Sequence, residues 1–402
     1  MKQISKIYPY VFALFCASFP FTHLSKAIPN ILLGVLGVLF CFVVKKENFK
    51  KITRLKSLYM LGLMMVIGAF SILIFQRWDD VSFITRFINI VTIVLVSLPI
   101  TNSIIPIKAF VLSSLSLLLI SSIRLISYSN TSGSFDFTSG EHINILLLGE
   151  RPYLGIIYVA CACLCWFLAN KSIGITKLLW YFISSLFIAF VWIISARMAL
   201  IGLFIILLGF VLYQITNIKT ALAILGGILI LGFLLISSNE NLQKRFYFSP
   251  NKDFILSERL VHEPRYHIWE CAFGMEQNTI SILFGKGFEQ VKSELVNCYQ
   301  TRDKFYTENQ QQWFITKQFN THNQYIEVYY AMGIIAFIFF IGFLFFSLVE
   351  NRKNYFATAL VVLLLMFLFT ENLIHRQVGV MLMGIIIAFI TSIKFEKEEK
   401  NN

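Results

Sequence analysis

The sequence predicts an all-α polytopic membrane protein of about twelve transmembrane helices with one large extramembrane insert. Three observations predict it. Hydrophobic residues make up 57% of the chain and charged residues only 14%, where a soluble globular chain carries about 25% charged. Apolar runs of about 20 residues recur along the whole length, each long enough to cross a hydrocarbon core of roughly 30 Å. One long hydrophilic stretch, 238–324, interrupts them. A β-barrel would instead show short segments of alternating polarity.

By hydropathy and flanking charge the spans fall near 7–24, 28–44, 57–76, 82–100 and 104–123, then 152–169, 177–196, 198–216 and 219–237. After the insert come 325–348, 355–372 and 376–393. The first apolar stretch lacks a small-x-small cleavage site and another span follows at once, so it reads as an uncleaved span and not a signal peptide. The span at 82–100 contains Arg86, and a tight reversal at Arg197 separates two others. The segment 128–151, with Asp136, Glu141 and Glu150, forms a second, smaller loop on the side of the insert. Inside the insert, 257–275 has helical spacing of apolar residues, with Trp269, Ala272 and Phe273 near one face. Phe284-Gly285-Lys286-Gly287-Phe288 is a turn signal; a phosphate loop would need Gly-x-x-x-x-Gly-Lys-Ser/Thr. The aromatic-rich polar stretch 301–318 suits amphipathic helices lying on the bilayer. The charged tail 394–402 is expected to be disordered. The domain reading is spans one to nine in 1–237, a loop domain in 238–324, spans ten to twelve in 325–393, and the tail.

Charge sets the orientation. With the N-terminus inside, the inner segments hold Lys2, Lys6, the basic cluster between Lys45 and Lys56, Lys108, Lys171, Lys177, Lys219, Arg352, Lys353 and the tail lysines, and so essentially the whole net charge of +12. That is the positive-inside asymmetry. The basic balance therefore reports topology and contact with anionic inner-leaflet lipid. No basic patch with interleaved aromatics points to nucleic acid. The same topology places every histidine (His23, His142, His262, His267, His322, His375) and every aspartate (Asp79, Asp80, Asp136, Asp253, Asp303) outside. Asp79-Asp80, the only close acidic pair there, reads as a solvated loop. Cys161, Cys163 and Cys165 are two apart, and such residues point about 200° from each other on a helix, so they read as small packing residues and not metal ligands. Cys271 and Cys298 both lie in the insert, where an oxidising compartment permits a disulfide.

Four residues are candidates for chemistry. Arg197 closes Ile194-Ser195-Ala196-Arg197 at the mouth of a span. An arginine there either snorkels or binds an anion, and guanidinium is the preferred bidentate partner of phosphate. Arg265 follows Pro264, a good first helical residue. A cation in a first turn opposes the helix dipole, which makes sense if Arg265 and free backbone N–H groups share an anion; a surface ion pair to Glu258 or Glu263 is the plainer alternative. His322 stands at the outer start of a span that Asn320 or Thr321 would cap, and an imidazole with a pKa of about 6.5 suits a general base. Arg151, in Gly149-Glu150-Arg151-Pro152, is a weaker fourth, and Arg86, Arg124 and Arg376 are read as structural.

The order of these motifs resembles the O-antigen ligase family, which includes related O-antigen polymerases and some protein O-glycosyltransferases. The likeness rests on Ser195-x-Arg197, Arg265-x-x-x-Trp269, Phe284-Gly285-Lys286-Gly287, His322-Asn323-Gln324-Tyr325-Ile326-Glu327 and Ala331-Met332-Gly333-Ile334, and it is specific between Ile194 and Gly342. The resemblance implies a GT-C-like fold in a bacterial inner membrane, with cytoplasmic termini and a periplasmic active site. It implies transfer of a glycan from undecaprenyl diphosphate to an acceptor hydroxyl such as that of lipid A–core, without metal or other cofactor. Arg197 and Arg265, with Arg151, would bind the diphosphate, and His322 would activate the acceptor. No outer Asp-x-Asp is present to hold a divalent cation, so the arginines would stabilise the departing diphosphate. Direct displacement predicts inversion; among the motif carboxylates Glu327 is the alternative, as a covalent nucleophile. The single long insert after the ninth span favours the ligase layout over a capsule or exopolysaccharide polymerase, with a protein O-glycosyltransferase behind them. A lipid-linked glycan transporter would place ionisable residues near the midplane, whereas here they gather on one face.

Overall fold

A computed structural model of the chain describes residues 2–132, 140–239, 241–243, 263–302 and 308–401. Among them every regular element is helical. The chain begins with α1 (Lys2–Ser18), α2 (Ala27–Val43), α3 (Lys46–Ile52), α4 (Lys56–Phe75), α5 (Val81–Ser97), α6 (Ile104–Ser132) and α7 (Gly140–Leu146). It continues through α8 (Arg151–Asn170), α9 (Gly174–Ile193), α10 (Arg197–Gln214) and α11 (Ile218–Ser237). The insert supplies α12 (Pro264–Phe273), α13 (Thr279–Phe284), α14 (Phe288–Thr301) and α15 (Glu308–Lys317). The last helices are α16 (Gln324–Asn351), α17 (Tyr355–Leu368) and α18 (Gln377–Asn401).

Among the described residues 10 helices are long and apolar enough to cross a membrane, and α2 with α3, bent by 117°, gives an eleventh. The protein is thus a polytopic helical membrane protein, and each predicted apolar segment is helical. Of the twelve predicted spans, 355–372 holds the shortest helix, although it still runs from the Glu350 end of the bundle to Glu371 beside His322. There α17 has only 14 residues, about 21 Å at 1.5 Å per residue. The chain leaves the helix because Thr370, Glu371 and Asn372, all buried, turn into a polar network where lipid could not satisfy them.

Two helices form the centre of the bundle. The spans of α8 and α18 are 89% and 83% buried, against 6% for α11, so α11 is a lipid-facing rim. Buried all round, α8 carries small residues where helices must approach closely, and Cys161, Cys163 and Cys165 are free thiols in that packing. At the end opposite the insert, Lys171 Nζ lies 2.7 Å from Glu396 Oε1, and Ser103 Oγ donates to Glu396 Oε2 at 2.6 Å. Ser57 Oγ donates to Glu350 Oε2 at 2.9 Å, and Lys394 Nζ lies 3.7 Å from the same carboxylate. These clamps carry α18 on as a helix through the tail expected to be disordered.

The insert is a small packed unit. Cys271 and Cys298 are disulfide-bonded and tie α12 to α14. The helix predicted over 257–275 begins at Pro264, its stretch before Glu263 lying outside the described residues, and Phe273 faces outward while Ala272 is buried. Of the described aromatic residues in 301–318, Phe314 is buried against Tyr299, His267 and Phe319, while Trp313 is exposed. Residues 303–307 lie outside the described residues, as do Asp136, Asp253, Glu258 and His262.

One junction docks the insert. Gly333 interrupts α16 at φ 79°, a left-handed conformation, and a Cβ there would lie 2.3 Å from the Leu283 carbonyl oxygen. The break frees two carbonyls of α16. The Lys286 and Gly287 N–H groups donate to the oxygens of Tyr330 and Ala331 at 2.8 and 2.9 Å. From the other side, Arg77 Nη2 donates to the Gly285 oxygen at 2.8 Å. Of the pair read as solvated, Asp79 is exposed, but Asp80 is buried and accepts from the N–H groups of Phe288 and Glu289, both at 3.0 Å, capping α14.

Candidate active site

Each candidate side chain starts from a local backbone constraint. After α9 the chain reverses through Ser195, at φ 52°. A Cβ on Gly155 of α8 would lie 2.8 Å from the Cβ atoms of Ala196 and Ala199. Only glycine admits that approach, and it seats the first turn of α10, with Arg197, against the start of α8. Arg265 lies in the first turn of α12, directly after Pro264. Trp269 stands four positions after Arg265, so both project from one face. Trp269 Nε1 donates to the Thr321 oxygen at 3.0 Å, bringing that face to the start of α16.

His322 is held by its neighbours in sequence. The helix cap is Asn323 and not Asn320 or Thr321: its Oδ1 accepts from the N–H groups of Tyr325 and Ile326 at 2.9 and 3.1 Å. Asn320 Oδ1 accepts the His322 N–H at 3.0 Å. Thr321 Oγ1 donates to Glu327 Oε2 at 2.6 Å. Between these anchors His322 takes φ 45°, the left-handed region.

The structure brings Arg197, Arg265 and His322 together through two carboxylates. Glu263 bridges the arginines, its Oε2 being 3.3 Å from Arg197 Nη2 and its Oε1 3.2 Å from Arg265 Nη1. Glu371 joins Arg265 to the histidine, with Oε1 3.2 Å from Arg265 Nη2 and Oε2 3.3 Å from His322 Nδ1. Arg265 Nη2 also donates to the Thr370 oxygen at 3.2 Å. The Arg197, Arg265 and His322 side chains are 27, 26 and 21% exposed and Glu371 only 9%, so these three are the more accessible groups and the Glu371 carboxylate stands behind them. Burial alone would push the Glu371 carboxyl up. The hydrogen bond from His322 and the charges of His322, Arg265 and Arg376 outweigh it and hold the carboxyl below its ordinary range. An ionised carboxylate only accepts, so His322 Nδ1 is the donor in this bond.

A buried layer supports this row. Glu327 is 1% exposed. Asn372 Nδ2 donates to its Oε2 at 3.1 Å, and His375 Nε2 lies 2.5 Å from its Oε1. Sealed in this way, Glu327 cannot reach an anomeric carbon, which removes it as a covalent nucleophile. Arg86 Nη1 donates to the His375 oxygen at 2.7 Å and holds that loop. Arg376 pairs with Glu150. Arg151 is buried, 4% exposed, in the first turn of α8, and is not presented with the partly exposed Arg197, Arg265 and His322.

Glu371 and Asn372 escape a reading by hydropathy because they stand at the end of an apolar run. A charged residue at a span boundary was nevertheless the signal that singled out Arg197, and it applies equally to Glu371. Among the described residues no group of His, Cys, Asp or Glu is placed to hold a metal ion. The broad cleft of ≈ 870 Å³ beside Arg77, Glu270, Gln277 and Lys286 is lined by none of Arg197, Arg265, His322 or Glu371.

Residues 157–341 match the family model described as O-Antigen ligase. No curated protein shows a significant match to the chain. The matched segment contains Arg197, Arg265 and His322 and ends before Glu371.

Proposed function

From the premise that the chain, over residues 157–341, belongs to the O-antigen ligase family, we propose that it is an inverting, metal-independent glycosyltransferase. It moves a glycan from undecaprenyl diphosphate to an acceptor hydroxyl, that of lipid A–core, on the periplasmic face of a bacterial inner membrane. The observation that carries the reading is the row Arg197, Glu263, Arg265, Glu371, His322: two guanidiniums and one oriented imidazole on one open face.

The acceptor oxygen attacks the anomeric carbon while its proton passes to His322 Nε2. The bond from that carbon to the diphosphate oxygen breaks with its electron pair. Charge grows on the leaving diphosphate, and Arg197 and Arg265 meet it there, so they bind the transition state more strongly than the ground state. Glu371 has two parts: it fixes the His322 tautomer, and it stabilises the imidazolium once formed. Glu263 keeps the guanidiniums side by side until phosphate oxygens take its place. Arg151 is too buried to meet the diphosphate directly and supports the fold of this corner.

The test is the surface-glycan profile of a deletion strain complemented with wild type, His322→Ala, Arg265→Ala or Arg197→Ala, each checked for membrane insertion. The reading expects loss of all chain lengths from the lipid A anchor, with long glycan left on the polyprenyl carrier. A single repeat on the anchor without a ladder would identify a polymerase instead. Normal glycan with His322→Ala would sink the catalytic assignment, as full activity in either arginine variant would sink the diphosphate site.

A further inference from the structure

Distant segments of the chain meet at Thr321, the residue before His322. Its side chain is fully buried. Its carbonyl oxygen accepts from Trp269 Nε1 at 3.0 Å, which holds the peptide leading into His322 against α12. Its hydroxyl accepts from Asn372 Nδ2 at 2.9 Å, and Asn372 directly follows Glu371. The same hydroxyl donates to Glu327 Oε2 at 2.6 Å, the length of a charge-assisted bond to a carboxylate. Asn372 Nδ2 reaches that oxygen too, at 3.1 Å, and closes a triangle of hydroxyl, amide and carboxylate.

The triangle is locked from behind. His375 Nε2 lies 2.5 Å from the other Glu327 oxygen, and the His375 ring stands edge-on to Phe83 and Phe288 at 4.9 and 6.3 Å. Gln324 Oε1 accepts the Ile374 N–H at 3.0 Å, a second tie between the start of α16 and the loop after α17. Glu327 is thus the fixed point, with Thr321 and Asn372 held on either side of it. The contact from His322 Nδ1 to Glu371 Oε2, at 3.3 Å, is longer than any of these bonds, and its geometry follows from the two buried neighbours. A buried network of this kind fixes one arrangement while every member is paired, and loses it when one is removed.

We propose, resting on the reading of His322 as the base, that Thr321 is a positioning residue of the transfer site: its hydroxyl, with Asn372 and Glu327, sets the separation and facing of His322 and Glu371. Thr321 is buried away from donor and acceptor and acts through His322. A misplacement of about 1 Å in a group that must meet a reacting atom costs about 10²-fold in rate. Loss of the hydroxyl is therefore felt in kcat and hardly in donor KM.

The test compares Thr321→Val, which keeps the shape and removes the hydroxyl, with Thr321→Ser, which keeps the hydroxyl, both in the full-length protein. Thr321→Val should lower kcat by about 10 to 10²-fold with donor KM changed by less than about twofold. Thr321→Ser should restore kcat to within about threefold of wild type. In a His322→Ala background, Thr321→Val should lower the residual rate by less than about twofold, because residues that act as a unit do not add. Asn372→Ala frees the Glu371 loop while leaving the bond from Thr321 to Glu327, and should show the same kcat loss, so the test stands if Thr321→Val fails to insert. Solid-state nitrogen NMR of protein carrying labelled histidine follows His322 Nδ1 apart from turnover. Thr321→Val should move that signal as Glu371→Gln does, and Thr321→Ser should leave it in place. Wild-type kcat in Thr321→Val overturns the proposal, as does Thr321→Ser no better than Thr321→Val, an equal loss in the His322→Ala background, or an unmoved Nδ1 signal in Thr321→Val. Full transfer in His322→Ala would sink the base assignment alone, and the Nδ1 signal would still decide the placement.

Discussion

His322 holds a left-handed backbone at φ 45° and Ser195 another at φ 52°. Conformations of that kind cost about 1–3 kcal/mol in residues other than glycine and persist only where surrounding bonds enforce them. Both belong to motifs that converge on Glu371 or Arg197, and the bonds from Asn320 and Asn323 are what enforce the first. His322→Ala should lower transfer by about 10² to 10⁴-fold, the usual contribution of a positioned base, measured as initial rate on protein of unchanged melting temperature. Glu371→Gln keeps the shape but loses the charge that fixes the tautomer, and should lower kcat more than it changes donor KM. Glu371 also predicts a pH dependence. Its folded pKa is depressed, so its contribution to stability is complete above its ordinary value of 4.5 and is lost as pH falls through the lower folded value. Melting temperature against pH should therefore fall in the acid more steeply for wild type than for Glu371→Gln, and the two curves should run parallel above neutrality. A wild-type curve without that extra acid limb would contradict the assignment.

At the scale of elements, the site depends on helices that stop early or break. α17 ends at Leu368 so that Thr370, Glu371 and Asn372 can enter the network. α16 breaks at Gly333 so that the turn at Gly285 and Gly287 can dock against it. Gly333→Ala should therefore destabilise the protein by more than the few tenths of a kcal/mol of an ordinary helix substitution, because the backbone is left-handed and the new Cβ meets a carbonyl. Gly226→Ala in α11 meets nothing within 4 Å and should leave the thermal melt unchanged or slightly raised. Thermal melts of the two variants in one detergent compare them directly; equal midpoints would remove the docking role of the break.

For the whole molecule, the charged clamps at one end and the site at the other divide the bundle into two faces. The orientation proposed here predicts that a cysteine introduced as Gln277→Cys reacts with an impermeant thiol reagent in intact cells. Lys171→Cys should react only after permeabilisation, and the reverse pattern would invert the topology. The Cys271–Cys298 bond closes a sequence separation of 27 residues, a loop whose cross-link typically contributes about 2–4 kcal/mol. Reductant should lower the melting temperature of the wild type and leave a Cys271→Ser, Cys298→Ser variant unmoved.

The sequence by itself determined the membrane class, the placement of each apolar helix and the partition of charge, because hydropathy over twenty residues is a local property that the bilayer reads directly. It also singled out Arg197 as a charge at the mouth of a span, Arg265 as a cation in the first turn of a helix, and His322 as an imidazole at the outer start of a span, all of them local signals. Only the tertiary structure decided that these three form one row, and that Glu263 and Glu371 link it. It alone sealed Glu327 behind the row, turned Asp80 into a buried cap and drew Arg151 into the interior. Those outcomes depend on contacts between segments far apart in the chain, Glu371 with His322 and Asp80 with Phe288 among them, and no local pattern records which distant partner will satisfy a buried charge.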